Sequence, residues 1–94
     1  MDPLREQIEK FQNPAYLYGH RLGYNVGRKH DHGQNNDDYA MECYAALERY
    51  MAQSDKFKRD TANYSGVDWF NFHHGFTDGL KRARPYRMLE DYHV

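Results

Sequence analysis

The sequence predicts an all-α fold, a small bundle of three to four helices in which two Gly-x-x-x-Gly helices pack closely. Three observations carry this. The chain twice writes Gly, an aromatic, two variable residues, Gly, one more residue and Lys, as Gly23-Tyr24-Asn25-Val26-Gly27-Arg28-Lys29 and Gly75-Phe76-Thr77-Asp78-Gly79-Leu80-Lys81. Glycine inside a helix costs about 1 kcal/mol relative to alanine, and the usual return is close approach of a neighbouring backbone. Apolar residues elsewhere recur at helical spacing, and the alternating runs that would argue for strands are missing. Helix-start chemistry precedes each apolar run.

Asp2 before Pro3 opens a first helix, since Asp accepts from open backbone donors and Pro suits the first helical position. Leu4, Ile8 and Phe11 follow at helical spacing. Asn13 before Pro14 repeats the signal, so this helix ends near Gln12 and the first glycine-bearing helix starts at Pro14. Gly19, Gly23 and Gly27 line one face, flanked by Ala15, Tyr18, Leu22 and Val26. Lys29, His30 and His32 lie in or beyond its last turn, where cations complement the helix dipole, and Gly33 provides a stop. His32 to Asp38 is loop chemistry, and either Asp37 or Asp38 can cap the next helix. That helix runs from about Tyr39 with a stripe of Ala40, Cys43, Tyr44, Leu47, Tyr50 and Met51. The sevenfold recurrence of Tyr50, Phe57 and Tyr64 allows it to continue past Ser54, while Ser54-Asp55 equally allows a break. Ser65-Gly66-Val67-Asp68 has capping-box spacing and opens the second glycine-bearing helix. Trp69, Phe72, Phe76 and Leu80 share a face there beside Gly75 and Gly79, the strongest apolar stripe in the chain. Pro85 ends it. Residues 1–94 thus form a single helical domain, with 85–94 a short C-terminal tail in which Met88, Leu89 and Tyr92 can dock.

The 94 residues suffice for one core. Hydrophobic residues make up only 39 %, yet aromatics reach 16 %, so tyrosine carries much of the burial and leaves polar tips at the core edge. No apolar run approaches membrane-spanning length, and residues 1–6 lack the basic start and apolar middle of a signal peptide, so a soluble protein of a bacterial cytoplasm is expected. The single cysteine, Cys43, rules out an internal disulfide and fits a reducing compartment. With 13 Lys and Arg against 14 Asp and Glu, the totals give no general affinity for polyanions.

Distribution changes that picture. Short connections favour an up, down, up path for the last three helices, so the two glycine-bearing helices are parallel and end at one pole. Arg28, Lys29, Lys81, Arg82, Arg84 and Arg87 would gather there beside His30 and His32. The alternative is that these cations only answer two helix C-terminal dipoles, with Asp37 and Asp38 neutralising much of the patch.

Catalytic chemistry is poorly represented. Six histidines include His30-Asp31-His32 and His73-His74, but adjacent helical side chains diverge, and neither Cys-x-x-Cys nor His-x-x-x-His occurs. No metal site and no cofactor is expected; surface and loop roles account for these histidines. Cys43 falls on an apolar stripe, where a buried thiol is inert, and the two serines, Ser54 and Ser65, read as helix boundaries. The glycines have helical spacing, not that of a phosphate-cradling loop. The chain is not expected to be an enzyme. Its glycine strips either pack on each other or leave one open for a partner helix or a second copy, as in a homodimer.

His20-Arg21-Leu22-Gly23-Tyr24-Asn25-Val26-Gly27 resembles the first helix of ribosome modulation factor, in which a Gly-Tyr-x-x-Gly helix precedes a second helix with Trp and Gly-Trp. Trp69 and Gly75-Phe76 echo that second element. The resemblance covers about a quarter of the chain and implies a packed helix pair more than it implies a function. The chain departs from that family by an additional long helix between the elements and by lacking a strongly basic balance. No functional residue is carried across.

Two functions follow from these readings. The first is a small non-enzymatic binding protein, an inhibitor or regulator of phage or mobile-element type, anti-CRISPR-like or similar. It would occupy a surface of a larger host protein or nucleoprotein complex, an analogy drawn from composition. Its anchors would be Tyr16, Tyr24, Tyr39, Tyr86 and Tyr92, with Asp37 and Asp38 facing basic channels of the target. The alternative is a ribosome- or nucleic-acid-binding factor using the basic pole, with Arg28, Lys29, Lys81, Arg82, Arg84 and Arg87 on phosphates and Tyr24 or Tyr86 stacking on bases. No membrane partner is expected in either case.

Overall fold

The computed structural model describes residues 13–84. The expected helix over Asp2 to Gln12 and the tail from Pro85 onward, with Tyr86, Arg87 and Tyr92, lie outside the described residues. Within them are four helices and no strand: α1 (Pro14–His30), α2 (Asn36–Gln53), α3 (Asp55–Asp60) and α4 (Gly66–Ala83).

Each helix begins where a short polar side chain captures an open backbone donor. Asn13 accepts from the Tyr16 N–H at 3.1 Å, with Pro14 in the first turn. Ser65 and Asp68 close a reciprocal capping box at the start of α4, worth about 1 kcal/mol. The α2 cap differs from expectation. Asn35 accepts from the Asp38 N–H at 2.8 Å, so the helix starts at Asn36 and both aspartates sit in its first turn. Amide and carboxylate divide the work, since Asp38 in turn accepts from the Asn35 amide and the acids lie where the dipole favours negative charge.

α1 stops at His30, earlier than Gly33. Asp31 leaves the helix in extended backbone, and Gly33 then takes φ 90°, a left-handed turn that side chains resist. The open choice at Ser54 resolves as a break. Ser54 ends α2 and caps α3, its hydroxyl accepting from the Phe57 N–H. The sevenfold aromatics therefore do not share one helix. They meet as an aromatic cluster, with Tyr50 5.5 Å from Phe57, Phe57 5.6 Å from Phe72, and Tyr64 5.1 Å from Trp69.

The two glycine-bearing helices, α1 and α4, pack backbone to backbone and run parallel. Gly19 meets Phe72, Gly23 meets Phe76, and Gly27 meets Leu80 and Ala83, a register that advances in the same direction on both. Reciprocally, Gly75 abuts Tyr16 and His20, and Gly79 abuts His20 and Tyr24. Both strips are consumed by this seam, so neither is open to a partner helix or a second copy. α2 returns antiparallel across the pair and lays Tyr39, Cys43 and Leu47 over Phe72, Phe76 and Leu80, with Phe57 of α3 closing one end. Long-range hydrogen bonds tie the layers together. The Tyr39 hydroxyl donates to the Leu80 carbonyl at 2.9 Å, and Tyr44 and Thr77 hydroxyls lie 2.7 Å apart. Among the described residues no helix is long and apolar enough to cross a membrane.

Candidate nucleic-acid interface

The α1/α4 pair is covered by α2 and α3 on one side only. On the other, α1 presents Leu17, His20, Arg21, Tyr24 and Arg28, and α4 presents Asp78, Lys81 and Arg82. The helical pitch dictates this, because residues on the flank away from α2 fall three and four apart along the seam. Leu17, His20, Arg21, Tyr24 and Arg82 line a shallow groove of about 440 Å³. It continues past His20, Lys81 and Arg82 over Tyr16 and Asp78.

Charge is sorted between helices. α1 holds Arg21, Arg28 and Lys29 and no acid, whereas α2 holds Asp37, Asp38, Glu42 and Glu48 against Arg49 alone. Arg21, Arg28, Lys29, Lys81 and Arg82 are all exposed. The parallel packing thus brings the basic ends of α1 and α4 together, and most acids face the opposite layer. Asp78 lies inside the groove but is engaged there. It accepts from the Tyr16 hydroxyl at 2.7 Å and stands 3.9 Å from the His74 ring. The Arg28 guanidinium lies over the half-buried Tyr24 ring at 5.6 Å, which leaves cation and aromatic at one place on the surface.

Several expected site residues are corrected by burial. Tyr16 and Tyr39 are 2 % and 0 % exposed and cannot anchor a partner from the surface. Burial, then the bond to Asp78, holds the Tyr16 hydroxyl well above its ordinary pKa; burial does the same for Tyr39. Arg84 is also interior, at 3 % exposure. Its guanidinium stacks 4.2 Å from the Tyr39 ring centroid, donates to the Gln34 carbonyl at 2.7 Å and lies 3.8 Å from Asp31, pinning the loop between α1 and α2 to the end of α4. It is a structural tie, not a phosphate contact. Asp37 and Asp38 are exposed, but on the α2 layer away from the groove. Arg21 belongs to the basic face and was not among the expected residues. Its signal was present in the sequence, seven positions before Arg28 on an acid-free helix.

The remaining reactive side chains serve the fold. Burial pushes the Cys43 thiol up to about 11, so it stays protonated and unreactive at neutral pH. His32 contacts the Glu42 carboxylate at 2.9 Å and 3.0 Å, and Gln34 bonds the His30 carbonyl, together bracing the α1/α2 loop. His73 packs near Trp69 and Phe72 while His74 turns to Tyr16 and Phe70. Among the described residues no three His, Cys, Asp or Glu side chains converge as a metal site would require. No family model, curated protein or solved structure matches the chain.

Proposed function

We propose that the chain is a nucleic-acid-binding module that grips RNA phosphates, including those of a ribosome, with the α1/α4 face. The observation that carries this is the parallel seam, which gathers exposed Arg21, Arg28, Lys81 and Arg82 on a flank where Asp78 is the one acid among the described lining residues, with Lys29 exposed in the last turn of α1. A chain of net charge −1 achieves polyanion affinity only by such segregation. Burial of Tyr16 and Tyr39 also removes two of the anchors that an aromatic protein interface would need.

Salt dependence tests it. With four to five phosphates neutralised, log Kd for a short RNA hairpin should change with log salt by about 3 to 4 in slope, measured by fluorescence anisotropy between about 50 and 200 mM. A slope near zero, or no binding at low salt, contradicts the proposal. A second reading, a regulator occupying a host protein surface, draws on Val67 and Phe70, which stand 69 % and 70 % exposed one turn apart on α4. A complex anchored there would respond little to the same change in salt.

A further inference from the structure

On the other flank of α1, a cleft of about 390 Å³ opens between α1, the end of α2 and α3. Its size suits a small ligand, at the lower end of the range for ligand pockets. Its chemistry is mixed in an ordered way. Tyr18 of α1 and Tyr50 of α2 stand side by side, each packed edge-on against Phe57, at 5.9 Å and 5.5 Å. Phe57 is itself buried, so both rings are held by the core and lose little freedom when a ligand arrives. Asp60 enters from α3, accepting the Tyr18 hydroxyl through one carboxylate oxygen at 3.0 Å and leaving the other to accept again. Pro14, Leu17 and Leu22 add apolar wall, and Asn25, Arg21 and Lys56 add polar groups, none of which makes a side-chain hydrogen bond or ion pair within the described residues.

Aromatic surface, a carboxylate acceptor, an amide and two cations form a set that matches one chemical class. A nucleobase offers a flat ring and amino donors, and its phosphate needs cations a few ångströms away. Arg21 belongs both to this cleft and to the basic groove on the opposite flank of α1, so a strand lying on that groove passes the mouth of the cleft. We propose that the cleft takes a single unpaired nucleotide, with Tyr18 and Tyr50 against the base, Asp60 and Asn25 on its hydrogen-bonding edge, and Arg21 and Lys56 at the phosphate. The inference rests on the nucleic-acid function above. Because Asp60 offers the base a carboxylate acceptor, guanine, with imino and amino donors side by side, is favoured over uracil with its single imino donor.

The test compares two RNA hairpins, one fully paired in its stem and one with a single bulged nucleotide, the bulge being 2-aminopurine, guanosine or uridine in turn. Lys56→Ala and Asn25→Leu change exposed residues outside the core and should leave thermal unfolding unchanged. The wild-type protein should bind the guanosine bulge roughly tenfold more tightly than the paired stem, and the uridine bulge several-fold less well than guanosine. Both variants should erase that advantage without altering affinity for the paired stem, and 2-aminopurine emission should change only with the wild-type protein. Equal affinity for bulged and paired hairpins would overturn the cleft proposal and leave the phosphate-binding function standing. Binding of free guanosine monophosphate, lost in the same variants but without binding of either hairpin, would keep nucleotide recognition and overturn its tie to a strand. Failure to bind any of these ligands would overturn both.

Discussion

Gly23→Ala is expected to cost more than about 3 kcal/mol of stability, measured by urea unfolding followed by circular dichroism. A β-carbon there would overlap the Phe76 carbonyl oxygen and stand 2.9 Å from its carbonyl carbon. Both obstacles are helix backbone, so no rotamer change relieves the clash, and α1 and α4 must separate along the seam. Separation also loosens Phe72, Phe76 and Leu80 beneath α2, since these side chains leave the same helix at the same turns. Facing carbonyls now lie against glycine Cα–H groups, contacts worth about 0.5–1 kcal/mol each, which a wider seam would forfeit. The loss is large against a total of about 5–10 kcal/mol for a domain of this size. Gly66→Ala supplies the contrast. Nothing lies within 4 Å of a β-carbon at that position, and Gly66 begins α4. Alanine there should leave stability unchanged or raise it by up to about 1 kcal/mol, through reduced freedom of the unfolded chain. Equal effects at both positions would mean that the seam is not the tight contact described.

Reversing two charges on the basic face should produce the largest functional loss. Arg21→Glu with Arg82→Glu replaces two cations that share one groove, on opposite sides of the seam. Each substitution removes one phosphate contact and adds a repulsive charge, so hairpin affinity should fall at least 100-fold at about 100 mM salt, and the salt slope should fall by about 2. Both side chains are exposed, and folding should change by less than about 1 kcal/mol. Arg49→Glu makes one such reversal, half the change in net charge, on exposed α2 and should leave affinity within about threefold. A loss at Arg49 as large as at the paired site would show that net charge, not the face, governs binding.

Much of the fold was legible because it rests on local chemistry. Asn13-Pro14 and Ser65 to Asp68 mark helix starts through hydrogen bonds made within four residues, and the fourfold glycine spacing marks the seam through the period of the helix itself. Parallel packing followed from connection lengths. What was not legible depends on partners far along the chain. Tyr16 reads as an amphipathic surface residue until Asp78, 62 positions later, accepts its hydroxyl and makes burial tolerable. Arg84 reads as a solvated cation at a helix end, yet the Tyr39 ring and the Gln34 carbonyl draw it inward. The tyrosines of the cleft are similar, since Tyr18 and Tyr50 become neighbours only through Phe57 on a helix whose break at Ser54 the aromatic spacing left open. The basic pole is the intermediate case. Four of its expected members, Arg28, Lys29, Lys81 and Arg82, are exposed at the converging helix ends, one is interior, and Arg87 lies outside the described residues.

Backbone amide chemical-shift mapping with the bulged hairpin tests the central claim most directly, because it reads the contact surface without altering the protein. Shifts concentrated in residues 17–29 of α1 and 78–83 of α4, attenuated by added salt, are the predicted result. Shifts centred on the acidic turn of α2 or around Val67 and Phe70, with α1 silent, would contradict it and place the working surface on the opposite side of the seam or at the start of α4.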